Sequence, residues 1–332
     1  MGDFKDYWYG GNMYKLYVPK EASKGNSLPL IVMLHGCKQD PDQFAEETQM
    51  NLLAEKENVI LLYPAMDRWF NYPFDDPQKV NIDGCWNWFL DANQHRDTGL
   101  PKMIAGMMDD AEKVLHKDYS VHINGKEVYA VGLSAGGAMA CILGVTYPDR
   151  FSGIAICSGL PYDAVDTYLW TEPWTRTANY VLINGVADPY ECGNKAFVEM
   201  EKSGVNKKVP VIVFHGISDT RVHPINGEQL IIQWVQTHYR IDGGQGKVDV
   251  SPSSVHADIM NGGRSYTRHV YNGKNKDPLI ELWQIHGMNH AWSGGSENGK
   301  HTDPLGPDAT SIIGDFLKKT SVTNENHQES TH

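Results

Sequence analysis

The chain has no apolar run long enough to cross a bilayer. Apolar stretches such as residues 30–34 and 59–63 are strand-length, whereas a spanning helix needs roughly 18 consecutive apolar residues or more. Basic charge is scarce too: 29 Lys and Arg stand against 41 Asp and Glu, a formal net charge of −12, with no long basic run. Nothing here would neutralise a phosphate backbone, so nucleic acid is excluded as the expected partner. Five cysteines in 332 residues, without a CxxC pair, make neither a disulfide scaffold nor a zinc site. The N-terminus, Met1-Gly2-Asp3-Phe4-Lys5-Asp6, lacks the apolar core of a secretory signal. Asp6 also stands where a myristoylation pattern wants Ser or Thr. These absences predict either a cytoplasmic chain or one whose leader has been removed. Internal repeats and low-complexity linkers are missing as well.

What is present suits one large α/β domain, with 41% of residues hydrophobic. Short apolar, β-rich runs alternate with helix-length segments, which predicts a mostly parallel sheet covered on both faces. Residues 14–18 read as an early edge strand; 28–35, 59–63, 127–133, 153–157, 211–215 and 280–285 read as further strands. Residues 103–116, 135–147, 227–239 and 308–319 read as helices. The expected domain is 1–319, followed by a polar, disordered tail over 320–332. Residues 159–210 break the alternation and carry Tyr162, Tyr168, Trp170, Trp174 and Tyr180. They are expected to be an insertion beside a cleft.

Chemistry enters at Gly132-Leu-Ser134-Ala-Gly136, which follows an apolar strand and opens a small-residue helix. A sharp strand-to-helix turn presents a serine hydroxyl without steric cover, and glycines on either side permit the close backbone approach it requires. The helix start aims amides at developing negative charge. This context predicts an α/β-hydrolase fold with Ser134 as nucleophile.

In that fold the chain order is Ser, acid, His. Asp219 follows a strand and a Gly turn in Val209-Pro-Val-Ile-Val-Phe-His-Gly-Ile-Ser-Asp219. Asp188 imitates the same grammar, but on a shorter and less clean strand. Of 14 histidines, His290 is favoured because it sits in a loop after the last strand, with His286, His223 and His301 as competitors. The second requirement is an oxyanion hole of two backbone amides. Ala135 follows the nucleophile, and Cys37 stands in His35-Gly36-Cys37 after an early strand.

These pieces together resemble the poly(3-hydroxybutyrate) depolymerase-type esterases, near the feruloyl and acetyl carbohydrate esterases. The most specific matches are Leu-Pro-Leu-Ile-Val-Met-Leu-His-Gly-Cys37, Cys85-Trp86-Asn87-Trp88-Phe89, Ser158-Gly-Leu-Pro-Tyr162, Val222-His-Pro-Ile-Asn226, His290-Ala-Trp-Ser-Gly-Gly295 and Thr302-Asp-Pro-Leu-Gly-Pro-Asp308. The resemblance implies the triad Ser134, Asp219 and His290, an oxyanion hole at Cys37 and Ala135, and no metal or organic cofactor. It further implies a Cys37–Cys85 disulfide, substrate contacts from Trp86, Trp88, His35 and Trp292, and secretion. A second bridge, Cys157–Cys192, is a weaker expectation, and Cys141 is expected to be free. The aromatic group Trp69, Phe70, Tyr72 and Phe74 reads equally as cleft lining or local packing. The stretch 180–193 departs from the family pattern and is expected to lie over the site.

The expected reaction is ester hydrolysis through an acyl-enzyme, on poly(3-hydroxybutyrate) or its oligomers. The alternatives are a feruloyl or acetyl esterase on plant polysaccharide, or a promiscuous short-chain esterase. A catalytically silent binding protein on the same fold would be expected to have lost Ser, acid or His, and all three stand here.

Overall fold

The computed structural model describes residues 1–66, 83–165, 174–260, 262–273 and 278–329. Trp69, Phe70, Tyr72, Phe74, Tyr168 and Trp170 lie outside the described residues, as does the side chain of Trp174. In chain order, β1 (Asp3–Tyr9) and β2 (Asn12–Val18) form a hairpin, and β3 (Ser27–Leu34) leads through α1 (Pro41–Thr48) and α2 (Met50–Glu57) to β4 (Ile60–Pro64). Next come α3 (Gly99–Val114), β5 (His122–Leu133), α4 (Ala135–Thr146) and β6 (Gly153–Cys157). Helices α5 (Trp174–Asn184) and α6 (Pro189–Glu201) lead to β7 (Val211–Gly216) and α7 (Ile225–Ile241). The strands β8 (Ser254–Ile259), β9 (Ser265–Asn272) and β10 (Pro278–Ile285) complete the main sheet. A small pair, β11 (Trp292–Ser293) and β12 (Thr302–Asp303), precedes α8 (Ala309–Glu329).

The sheet order is β1-β2-β4-β3-β5-β6-β7-β10-β9-β8. The strands from β4 to β10 in that order run parallel, and antiparallel strands margin them on both sides. Alternation along the central strands explains the layers. Leu30, Val32 and Leu34 of β3 enter one core with α3, α4, α6 and α7, while Ile31 and Met33 enter the other with α1, α2 and α8. A strand apolar on both faces must be covered on both, and this one is.

The antiparallel margins β1, β8 and β9 were not among the expected strands; their side chains are mostly exposed or half-buried, so they lack the apolar signal. The tail also departs from expectation, because α8 continues through Glu329. Part of 159–210 is an ordinary crossover layer, since α6 packs beside α7 and α4. The 180–193 stretch is anchored on the start of α7, where Asn226 Nδ2 donates to the carbonyls of Val181 and Leu182 and Gln229 clasps Val186 through both its backbone groups.

Candidate active site

Four loops leave the C-terminal ends of β3, β5, β7 and β10, and each brings one of the expected groups. Ser134 stands between β5 and α4 with φ 58° and ψ −122°, a left-handed conformation that a non-glycine residue adopts only under constraint. Its amide donates to the Cys157 carbonyl on β6 at 2.8 Å. Gly132 and Gly136 make the bend possible. A Cβ on Gly132 would lie 2.1 Å from the Gly136 carbonyl oxygen, and one on Gly136 would lie 2.0 Å from that of Leu34. All twelve residues of α4 are buried, so the small side chains let this helix start directly behind the serine.

The loops after β7 and β10 are laced together: Ser218 N donates to Met288 O at 2.9 Å, and Thr220 N to Asn289 Oδ1 at 3.1 Å. That lacing sets His290 Nδ1 against Asp219 Oδ2 at 2.7 Å. The other carboxylate oxygen, Oδ1, accepts from the amides of Arg221 and Val222, each at 2.9 Å. Burial pushes the Asp219 carboxyl up, but the His290 hydrogen bond and charge, with His215 and the Val222 amide, outweigh it and hold it below the usual carboxylate range. Asp219 is therefore an ionised acceptor that fixes the Nδ1–H tautomer of His290 and leaves Nε2 unspent on the aspartate. Among the described residues Ser134 Oγ has no hydrogen-bond partner, so the serine–imidazole contact is not closed in this structure. Such contacts commonly tighten only with substrate bound.

Gly36 lies against Ser134: a Cβ there would be 3.5 Å from Ser134 Cβ. The Gly36 carbonyl accepts from His35 Nδ1 at 2.8 Å and from Gln39 N at 3.3 Å. In a trans peptide the carbonyl and the following N–H point in opposite directions, so tying down Gly36 O turns the Cys37 N–H the other way. Among the described residues neither the Cys37 nor the Ala135 amide has a hydrogen-bond partner, which leaves both free to receive an anion. The loop is pinned by a Cys37–Cys85 disulfide.

Several expected site residues are elsewhere. His35 is 1% exposed, with Nε2 accepting from Met66 N, and burial holds its pKa down. Trp86 is wholly buried and donates to the His35 carbonyl. Trp292 is wholly buried against Phe44 and donates to Thr310. These three are corrected from substrate contacts to interior supports, because their surfaces and polar atoms are spent on the protein itself. Trp88 keeps 6% of its surface and packs edge-on against Phe89, so it too is mostly interior.

Asp188 caps α6 by accepting from Tyr190 N and pairs with Lys247. The competing histidines have other partners as well: His286 meets Thr267, His301 meets Glu47, and His223 Nδ1 accepts from Ile225 N. Cys157 and Cys192 are free buried thiols, not a bridge. They belong to the cores on opposite faces of the sheet, which keeps them apart. Cys141 is also free.

One supporting residue was not singled out from sequence. His215 is buried at the end of β7, donates from Nε2 to Val222 O at 2.8 Å, and lies 3.6 Å from Asp219 Oδ2. It holds the turn whose amides clamp the aspartate. A polar residue closing an otherwise apolar strand was the available signal.

Comparison with known proteins places this arrangement. The chain is 27% identical over 285 residues to the poly(3-hydroxyalkanoate) depolymerase C of Paucimonas lemoignei, covering 85% of this chain and 60% of that protein. It is 28% identical over 224 residues to feruloyl esterase B of Thermothelomyces thermophilus, covering 66% of this chain and 68% of the relative. Among solved structures, an acetyl xylan esterase from Aspergillus awamori superposes with a TM-score of 0.65 at 18% identity, over 87% of this chain and 94% of that one; it shares the fold, that of the α/β-hydrolases. Residues 12–249, which include Ser134 and Asp219 and stop short of His290, match the family described as Esterase PHB depolymerase, and the chain belongs to that family.

Proposed function

We propose that this esterase is a serine carboxylic ester hydrolase working through an acyl-enzyme. Ser134 Oγ attacks the ester carbonyl while His290 Nε2 takes its proton, and the amides of Cys37 and Ala135 receive the oxyanion. Collapse expels the alcohol with the proton from His290. Water then attacks the acyl-enzyme by the same route and releases the acid. The observation that carries this reading is the 2.7 Å bond from His290 to a buried, ionised Asp219, at the end of the sheet where Ser134 forms its strained bend. The catalytic unit is read as residues 1–319.

The substrate we infer is poly(3-hydroxybutyrate) or its oligomers, supported by the family and by the depolymerase relative. The disulfide supports an extracellular setting. A feruloyl or acetyl esterase is the second reading, favoured by relatives that carry those names at 28% and 25% identity. Burial of Trp86 and Trp292 withdraws the aromatic platform that would have suited either substrate. Clearing of a poly(3-hydroxybutyrate) emulsion, run beside release of ferulate from methyl ferulate and acetate from acetylated xylan, separates them. Clearing is expected; rapid ferulate or acetate release without it would move the assignment to the polysaccharide esterases.

A further inference from the structure

Glu47, at the end of α1, is 4% exposed, and no part of the mechanism above uses it. Its carboxylate is nonetheless surrounded by donors. Oε1 accepts from Lys300 N at 2.9 Å and from Gln43 Nε2 at 3.1 Å. Oε2 accepts from Gln39 Nε2 at 2.6 Å and lies 3.1 Å from His301 Nδ1. Its backbone carbonyl accepts from Ser296 N at 2.9 Å. Burial drives the carboxyl up, but His301, the Lys300 amide and Gln39 bring it below the usual range. A buried charge persists only when paired and hydrogen-bonded in this way.

Apart from Gln43 of α1 itself, the partners fall into two groups, and both adjoin the site. Ser296, Lys300 and His301 lie between β11 and β12, separated from the loop of His290 only by the two-residue strand β11. Gln39 belongs to the oxyanion loop, where its Oε1 accepts from Gly36 N at 2.7 Å and its backbone N–H donates to Gly36 O at 3.3 Å. A carboxylate only accepts and a backbone N–H only donates. With Glu47 ionised, the Gln39 amide is therefore locked in one orientation, nitrogen toward Glu47 and oxygen toward Gly36.

We propose that Glu47 is a positioning residue for ester hydrolysis, acting through Gln39 to hold the oxyanion loop and through the 296–301 segment to hold the loop that carries His290. The proposal rests on the serine-esterase reading above. It assigns the Gln39–Glu47 pair a direction as well as a position: donor at residue 39, acceptor at residue 47.

That direction supplies the test. Gln39→Glu still accepts from Gly36 but faces Glu47 with a second carboxylate. Adding Glu47→Gln reverses the pair and restores one donor and one acceptor between the two positions. With p-nitrophenyl butyrate, and with rates normalised to active sites titrated by a fluorophosphonate, Gln39→Glu is expected to lower kcat about 10- to 100-fold with KM little changed. The affinity for phenylboronic acid, whose tetrahedral adduct occupies the oxyanion hole, should fall in parallel. The double variant should recover most of both. Gln39→Met, which removes both side-chain bonds without adding charge, should behave like the single variant and serves if Gln39→Glu does not fold. Unchanged kcat per titrated site in the single variants, or no recovery in the reversed pair, overturns the proposal while the wild type still hydrolyses ester. A wild type that does not hydrolyse ester at all removes the reading on which the proposal stands.

Discussion

Asp219 and Asp188 show how one local pattern serves two purposes. Both follow a Gly turn, yet Asp188 spends its oxygens on the first turn of α6 and on Lys247, while Asp219 spends them on a turn of its own and on His290. Asp219→Asn should therefore lower kcat by about 10⁴ by allowing the wrong imidazole tautomer. Asp188→Asn should leave turnover intact and cost about 1 kcal/mol of stability at most, read from urea midpoints. The reverse pattern of rates would transfer the acid to Asp188. Gly136→Ala places a methyl carbon within 2.0 Å of the Leu34 carbonyl oxygen, and the expected result is a loss of several kcal/mol or no soluble protein; near-normal stability would contradict the packing described for the bend. The strand-to-helix bend at Ser134 was legible because its signature is local. The burial of Trp292 was not, because it depends on Phe44 and Thr310, residues far away in sequence.

At the level of elements, the parallel strands were readable because both of their faces are apolar, and each C-terminal end then located a loop of the site. The margins β8 and β9 carry mixed, half-exposed side chains and gave no such signal. Residues 159–210 broke the alternation because two helices, α5 and α6, stand between β6 and β7, and α6 fills the layer beside α4 and α7. The Cys37–Cys85 bridge was expected from resemblance; the Cys157–Cys192 bridge failed because pairing cysteines by sequence cannot see the sheet between them. Unfolded, unreduced protein should titrate three thiols, and reduction should raise this to five. The bridge closes a loop with a sequence separation of 48, worth about 4 kcal/mol in the chain-entropy model. A Cys37→Ser, Cys85→Ser double variant should lose stability of that order, and an unchanged urea midpoint would contradict it.

Across the whole molecule, buried ionisable groups, those that support the site among them, tie stability to pH. Burial lowers the pKa of His35, His215 and His238, the last to about 3. For each, the unfolded chain binds a proton that the folded chain refuses, so stability falls as pH drops below the ordinary histidine value near 6.5. Asp219, Glu47 and Glu199 are held below their ordinary values despite burial. Their contribution is full above the ordinary carboxylate range and is lost as pH falls through their depressed values. Both sets act in the same direction, so urea midpoints should decline steadily from pH 7 to pH 3; a midpoint that rises on acidification would contradict the burial of these groups. In the function proposed above, the chemistry rests on one serine at the end of β5. Treatment with a fluorophosphonate followed by peptide mass spectrometry tests that claim directly: the account predicts a single adduct on Ser134, absent in Ser134→Ala and greatly slowed in His290→Ala, whereas no adduct, or one on another residue at the same rate, would contradict it.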